Sequence, residues 1–278
     1  MIEIISLIIL FFGLLIASYY DLKTTEIPDR FAYIFLSIGV ILFIVNSYIN
    51  NFNNFIDNFI ISLFISSIGF IMYFFGQWGL GDSFLLASST FFLFFKTSKS
   101  FFIYPQLDFF SNLIIVGSFY IPLYSLPGFL RDKKAKKLFI NRVKEFSSRI
   151  LFLIFLFSVL FLVISFYLLK QIFIRPLIFV VTFTLFLNYL WIYLKACEKM
   201  FIKRIKVNEL KVGDVLLESK RWDGIDKKEI EKIKKARKKY VYIKNGVAFA
   251  PVFLISLIVT LLIGNLYSYI LEFFWLLL

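Results

Sequence analysis

Runs of about 20 apolar residues recur along this 278-residue chain, and they restrict its possible folds more than any other feature. A helix of that length crosses the hydrocarbon core of a bilayer while pairing all of its own backbone polar groups. Hydrophobic residues make up 60% of the chain, which is well above the share found in soluble domains. The sequence therefore predicts an all-α fold, a polytopic bundle of transmembrane helices.

Eight runs are counted as spans, and about six of them form the expected core. They cover residues 2–20, 31–48, 59–75, 83–95, 109–126, 150–169, 177–194 and 247–263. The first run has neither a basic start nor a small-residue cleavage site, so we expect a retained span rather than a signal peptide. The fourth run is short, and the tail 266–278 is expected to lie along the membrane or to re-enter it.

The positive charges are concentrated on one face of the predicted membrane bundle. When the eight spans alternate in direction, all but four of the 31 Lys and Arg residues fall in connections on one face. The exceptions are Lys96, Lys99, Lys170 and Arg175. Basic loops stay inside, so this face is predicted to be cytoplasmic. The net charge of +13 is thus a signature of topology, and no nucleic-acid partner is expected because no aromatic reading platform accompanies the basic residues.

Residues 195–246 form the only polar segment of any size, and we expect a small cytoplasmic α+β unit there. Residues 205–217 have a strand-like pattern, and residues 226–240 are predicted to form a charged helix capped by Asp226. About fifty residues bury little core by themselves, so the segment should pack on the membrane helices or lie on anionic lipid.

The chemistry open to the chain is limited by what it lacks. It has no histidine and a single cysteine, Cys197. Disulfides, Cys/His zinc sites and His-dependent triads are therefore excluded, and no metal or cofactor is expected. Any catalysis must use Asp, Glu, Lys, Ser, Thr or Tyr side chains.

The stretch Gly79-Leu80-Gly81-Asp82 places a carboxylate at the start of an apolar run. An ionisable residue at the edge of a span is a hypothesis about function, although a helix cap has the same appearance. Gly79 and Gly81 would permit unusual backbone dihedrals and the close approach of an extended substrate.

Asp21 directly follows the first span, and the predicted topology puts it at the same membrane boundary as Asp82. Two neighbouring carboxylates in a partly dry site do not both ionise easily, so they share a proton. One then acts as a base and the other as an acid, which is the working pair of an aspartic protease.

These residues resemble the aspartic prepilin-peptidase family, and most closely its archaeal preflagellin (archaellin) peptidases. The Gly-x-Gly-Asp element is similar to that of presenilin-type proteases, and Ala250-Pro251 at the start of the last span also fits the archaeal enzymes. The resemblance implies that Asp21 and Asp82 are catalytic and that Gly79 and Gly81 shape the loop.

The same resemblance implies the reaction and its setting. The family cuts the short class III signal peptides of preflagellin or prepilin precursors at the cytoplasmic face of the cell membrane, in archaellum and type IV pilus systems. The expected partners are these precursors and membrane lipid.

Two neighbouring side chains are further candidates for substrate binding. Trp78 adjoins the glycine stretch and could touch the substrate. Lys23 could either lower the pKa of Asp21 through its charge or simply mark the inner face. Asp57 and Asp108 fall on the predicted outer face and are interpreted as loop acids.

Five regions follow from this interpretation. Residues 1–126 form a transmembrane core with both aspartates, residues 127–149 a basic cytoplasmic loop, and residues 150–194 an additional transmembrane hairpin. Residues 195–246 form the basic cytoplasmic segment, and residues 247–278 the last helix with a hydrophobic tail. The hairpin departs from the roughly six spans of the archaeal enzymes.

Three other functions remain open. A presenilin-like protease would cut within the membrane and would need its second aspartate deeper inside a span than Asp21. A proton- or cation-coupled transporter would show charged or broken-helix sites at the bilayer midplane. A Ser/Lys peptidase would need a serine and a lysine on one membrane face.

Overall fold

The computed structural model describes residues 2–50, 52–94, 101–169, 174–236 and 239–277. These residues are mostly helical. The helices are α1 Ile2–Thr24, α2 Asp29–Ile49, α3 Phe55–Phe74, α4 Leu80–Phe92, α5 Pro105–Arg131, α6 Lys133–Leu169, α7 Ile174–Glu198, α8 Lys227–Lys235, α9 Ala250–Leu262 and α10 Leu266–Leu277. Two strands, β1 Ile202–Lys206 and β2 Tyr240–Lys244, pair antiparallel.

The helices have the character of membrane spans. Within the described residues, α1, α2, α3 and α5 are each long and apolar enough to cross a bilayer, and the bent pair α9 and α10 makes a fifth if it forms one span. The predicted helical membrane bundle is therefore confirmed in kind. The count of eight spans stays a prediction.

The chain divides into two compact units. The first comprises Met1–Ile121 and Ile202–Ser268, and the second comprises Pro122–Phe201 and Tyr269–Leu278. In the second unit α6 packs against α7. The stretch 127–149, expected as a basic loop, is almost entirely helical there, because α6 runs without a break from its basic start into the following apolar run.

Helix α4 lies at the centre of the first unit, where it packs against α1, α2, α3 and α9. It has 13 residues, about 20 Å of helix, and nine of them are buried. Its buried hydroxyls are paired: Ser89 Oγ donates to the Leu85 carbonyl at 2.8 Å. Ser6 Oγ donates at 2.8 Å to the carbonyl of Phe92, one of the groups that a helix end leaves unpaired.

Helix α1 turns one face towards this core. Leu10, Leu14, Ala17 and Asp21 are buried and recur every three or four residues, which places them on one side of the helix. The predicted span ended at residue 20, whereas α1 continues through Thr24. Asp21 therefore lies on the buried face of the last helical turn and not in the following loop.

The polar segment has the predicted α+β character, but its strands differ from the prediction. Asp226 caps α8 as expected, accepting from the Glu229 N–H at 2.7 Å. The helix ends at Lys235, and residues 240–244 form β2 instead of continuing it. The alternation of Tyr240, Val241, Tyr242 and Ile243 suits a strand whose partner, β1, lies far away in sequence.

Asp108 was interpreted as a loop acid, and this is wrong. It is fully buried in the first turn of α5. Its Oδ1 accepts from the Asn265 side-chain amide at 2.6 Å and from the backbone N–H groups of Phe101 and Phe102. The carboxylate thus joins the start of α5 to the turn that follows α9.

Candidate active site

Asp21 is held by the start of a helix from the far end of the chain. Its side chain is 5% exposed, and its Oδ2 accepts from the Ala250 N–H at 2.7 Å. Ala250 is the first residue of α9, so its N–H has no partner within its own helix. The positive end of the α9 dipole also favours a carboxylate at this place.

Asp82 lies in the first turn of α4, three residues after the N-cap Gly79. Its Oδ2 accepts from the Gly79 N–H at 3.3 Å. The motif is therefore a helix cap, as one of the two interpretations held. The cap and a catalytic role are compatible here, because Asp82 also faces the end of α1.

The two carboxylates belong to one electrostatic site. Helices α1 and α4 are in contact, and the charge of Asp21 acts on Asp82. Asp21 closes the buried face of α1, and Asp82 opens the central helix α4. The structure thus places the two aspartates that the sequence nominated at the ends of two contacting helices.

The two glycines differ in what they allow. Gly79 has an extended backbone, with φ −74° and ψ 157°, which any residue adopts, so it needs no unusual dihedral. Gly81 lies inside α4, and a Cβ placed there would be 2.9 Å from Ile27 Cβ. The close approach at Gly81 is therefore made by the chain's own α1–α2 loop, not by an open groove.

Trp78 and Lys23 lie in different surroundings. The Trp78 ring is half-buried and packs against Phe249 and Phe253, with ring centroids 5.5 and 6.2 Å apart. Lys23 is exposed, and its Nζ lies 5.6 Å from the Tyr19 ring centroid. Two residues along a helix correspond to about 200°, so Lys23 points away from Asp21 and is not brought to the carboxylates.

Residues 8–125 match the family model of the type IV leader peptidase family. The match covers less than half of the chain, and over these residues the chain is similar to that family. The match includes Asp21, Asp82 and both glycines of the motif. Searches of curated proteins and of solved structures each found no match to the chain. The match supports a leader-peptidase-like protease, and the long apolar helices support a multi-pass membrane protein.

Within the described residues of the chain, no cluster of three or more His, Cys, Asp or Glu side chains has the arrangement of a metal site. The carboxylate nearest to the site along the chain is Glu26, in the α1–α2 loop. Partial burial raises the pKa of the Glu26 carboxyl, and the negative charges of Asp214 and Asp29 raise it further.

Sequence reasoning missed three residues that make contacts at or near this site. The Ala250 N–H was not predicted to reach Asp21, although Ala250-Pro251 had been noticed at the start of a span. Trp222 and Asp223 were not predicted to contact the end of α3 either. Their contacts join residues that are about 150 positions apart in sequence, and no local pattern announces such a pairing.

Proposed function

We propose that the chain is a membrane aspartic endopeptidase that cuts the class III signal peptide of preflagellin or prepilin precursors. The observation that carries this proposal is the contact between α1 and α4, which bear Asp21 and Asp82, within the residues matched to the leader peptidase family. The absence of histidine from the sequence and its single cysteine leave few other hydrolytic groups.

The reaction needs the pair in its singly protonated form. The ionised aspartate takes a proton from water while the water oxygen attacks the peptide carbonyl. The protonated aspartate donates a hydrogen bond to the developing oxyanion. When the C–N bond breaks, the leaving amine takes a proton from the pair, and one shared proton remains for the next cycle.

The cut is proposed to take place at the cytoplasmic face. All but four of the Lys and Arg residues lie on the side of the predicted bundle to which Asp21 and Asp82 belong. A basic leader segment that stays in the cytoplasm would present its cleavage site there. In this arrangement Trp78 and the backbone at Gly79 border the substrate, Gly81 gives room to Ile27 instead, and Lys23 faces the headgroup region.

The transporter alternative gains one observation from the structure, the buried Asp108 beside the break between α9 and α10. However, Asp108 lies in the first turn of α5 and accepts from loop N–H groups, as expected of a residue that fixes a helix end. The peptidase function therefore remains the better supported one.

The test is direct cleavage. The full chain is reconstituted in proteoliposomes with a synthetic peptide that carries a basic leader followed by an apolar segment, and the products are identified by mass spectrometry. We expect a single cut at the leader boundary that persists in EDTA. Intact peptide under all conditions, or cleavage that EDTA abolishes, would contradict the proposal.

A further inference from the structure

The loop of residues 211–226, here called the docking loop, is fixed at its base. Gly213 N–H donates to the Ile225 carbonyl at 3.1 Å, and Ile225 N–H donates to the Asp214 carbonyl at 2.9 Å. Its middle is tied to β2, because Leu217 N–H donates to the Tyr242 carbonyl at 2.9 Å. The loop is therefore a defined arm of the polar segment.

This arm contacts the end of α3 through two side-chain hydrogen bonds. Trp222 Nε1 donates to the Gly76 carbonyl at 3.0 Å, and the Tyr73 hydroxyl donates to Asp223 Oδ1 at 2.8 Å. The Arg221 guanidinium lies 5.0 Å from the Phe74 ring centroid, within the range of a cation–π contact. Lys244 Nζ, 4.5 Å from the centroid of the Trp222 ring, covers that ring.

Gly76 has the backbone conformation and the lack of a side chain that this contact requires. Its φ of +67° ends α3 in a left-handed turn, in which Gly76 N–H donates to Tyr73 and Gln77 N–H donates to Met72. A Cβ at Gly76 would clash with the Lys220 carbonyl oxygen. Both the helix end and the seat of the docking loop therefore require glycine at this position.

The path from this contact to the aspartates is short. The α3–α4 loop runs from Gly76 to Gly79, whose N–H donates a hydrogen bond to the Asp82 carboxylate. Trp78, within that loop, packs on Phe249, the residue before the Ala250 N–H that holds Asp21. Holding Gly76 in place therefore helps to fix the backbone N–H groups that bind both carboxylates.

We propose that Trp222 and Tyr73 are positioning residues of the peptidase, holding the α3–α4 loop so that Asp82 stays beside Asp21. The inference rests on the proposed aspartic mechanism. Neither side chain touches the reacting atoms. Both act through a loop whose far end carries the catalytic carboxylate.

The variants are chosen to remove one donor each and little else. Trp222→Phe keeps an aromatic ring under Lys244 but removes the N–H that reaches Gly76. Tyr73→Phe keeps the ring and removes the hydroxyl that reaches Asp223. Trp275→Phe and Tyr242→Phe are matched controls, because both side chains are exposed.

The assay measures kcat, KM and the pH dependence of kcat for the full chain in proteoliposomes. Loss of either donor should lower kcat by about fivefold with little change in KM, as removal of one hydrogen bond predicts. If Asp82 is held less firmly beside Asp21, the two carboxylates interact less strongly and the two apparent pKa values of the pair move closer together. The acid and alkaline limbs of the bell-shaped profile should then move towards each other. The controls should keep the wild-type profile.

The outcomes separate this inference from the proposed function. If Trp222→Phe and Tyr73→Phe behave like wild type, or if their kcat falls while both pH limbs stay in place, the positioning role is contradicted and the peptidase function stands. If the wild-type chain does not cut the peptide, the proposed function fails and the inference falls with it.

Discussion

The carboxylates of Asp21 and Asp82 are supported by backbone N–H groups, those of Ala250 and Gly79. Each N–H opens a helix, α9 in one case and α4 in the other. Two helix N-termini thus support the two carboxylates and favour negative charge there. This support leaves both carboxylates free to exchange a proton, whereas an ion pair with a basic side chain would hold one of them permanently ionised.

At Gly81 the sequence predicted a close approach, and the structure gives the partner as Ile27. Gly81→Ala is expected to push Ile27 and the α1–α2 loop away, since the new Cβ would meet Ile27 Cβ at 2.9 Å. Overpacking of this kind costs about 1–3 kcal/mol, so the thermal midpoint in detergent and the cleavage rate should both fall.

The matched control is Gly128→Ala in α5, where a Cβ would meet only the flexible end of Met200 at 3.4 Å. This control should unfold at or above the wild-type temperature, because alanine favours helix. Equal behaviour of the two variants would show that Ile27 moves without cost.

At the scale of elements, the Asn112 side chain makes three of the hydrogen bonds at the turn between α9 and α10. Asn112 donates to the Gly264 carbonyl at 2.8 Å and to Thr260 Oγ1 at 2.9 Å, and it accepts from Leu266 N–H at 2.8 Å. Asn112→Leu keeps a similar volume but leaves these buried groups unpaired. We expect a loss of about 1–3 kcal/mol in unfolding free energy, measured by thermal or denaturant unfolding in detergent.

Asn53→Leu, at an exposed turn position, is the control and should change stability little. If the two leucine variants were equally stable, the hydrogen bonds of Asn112 would not be what holds the turn.

A second element-scale prediction concerns pH. The docking loop meets the α1–α2 loop where Gly213 approaches the Glu26 carboxylate, and the pKa of Glu26 is raised by partial burial and by Asp214 and Asp29. Because the pKa is raised, the folded protein disfavours the ionised form of the Glu26 carboxyl group. Its stabilisation is therefore present at acid pH and is lost as the pH rises through the folded-state pKa.

Glu26→Gln should consequently unfold at a higher temperature than wild type at neutral pH, and the difference should shrink as the pH is lowered. The measurement is the difference in thermal midpoint between the two proteins across the acid range. A difference that stays constant with pH would show that Glu26 does not titrate against the docking loop.

At the scale of the whole molecule, the predicted sidedness can be tested by labelling. Lys211 on the docking loop and Asn53 between α2 and α3 are both exposed. The predicted topology places Lys211 in the cytoplasm and Asn53 outside. Single cysteines at these positions should react with a membrane-impermeant thiol reagent from opposite sides, and labelling from the same side would contradict the topology.

How much the sequence predicts depends on the range of each contact. The apolar runs place α1 to α4 to within a few residues at their ends, and the motif residues nominate Asp21 and Asp82, because both signals are local. The contact between Ala250 and Asp21 joins positions 229 apart, and β1 and β2 pair across the intervening helix α8. Such partners emerge only from the packed chain, as the burial of Asp108 also illustrates.

The central claim is that Asp21 and Asp82 together carry out the cleavage. The most direct test replaces each by asparagine, which keeps the shape and removes the acid, with Asp57→Asn at an exposed position as the matched control. In proteoliposomes with the leader peptide, Asp21→Asn and Asp82→Asn should each abolish cleavage at normal expression, while Asp57→Asn cuts at the wild-type rate. Retained cleavage in either dyad variant would contradict the account.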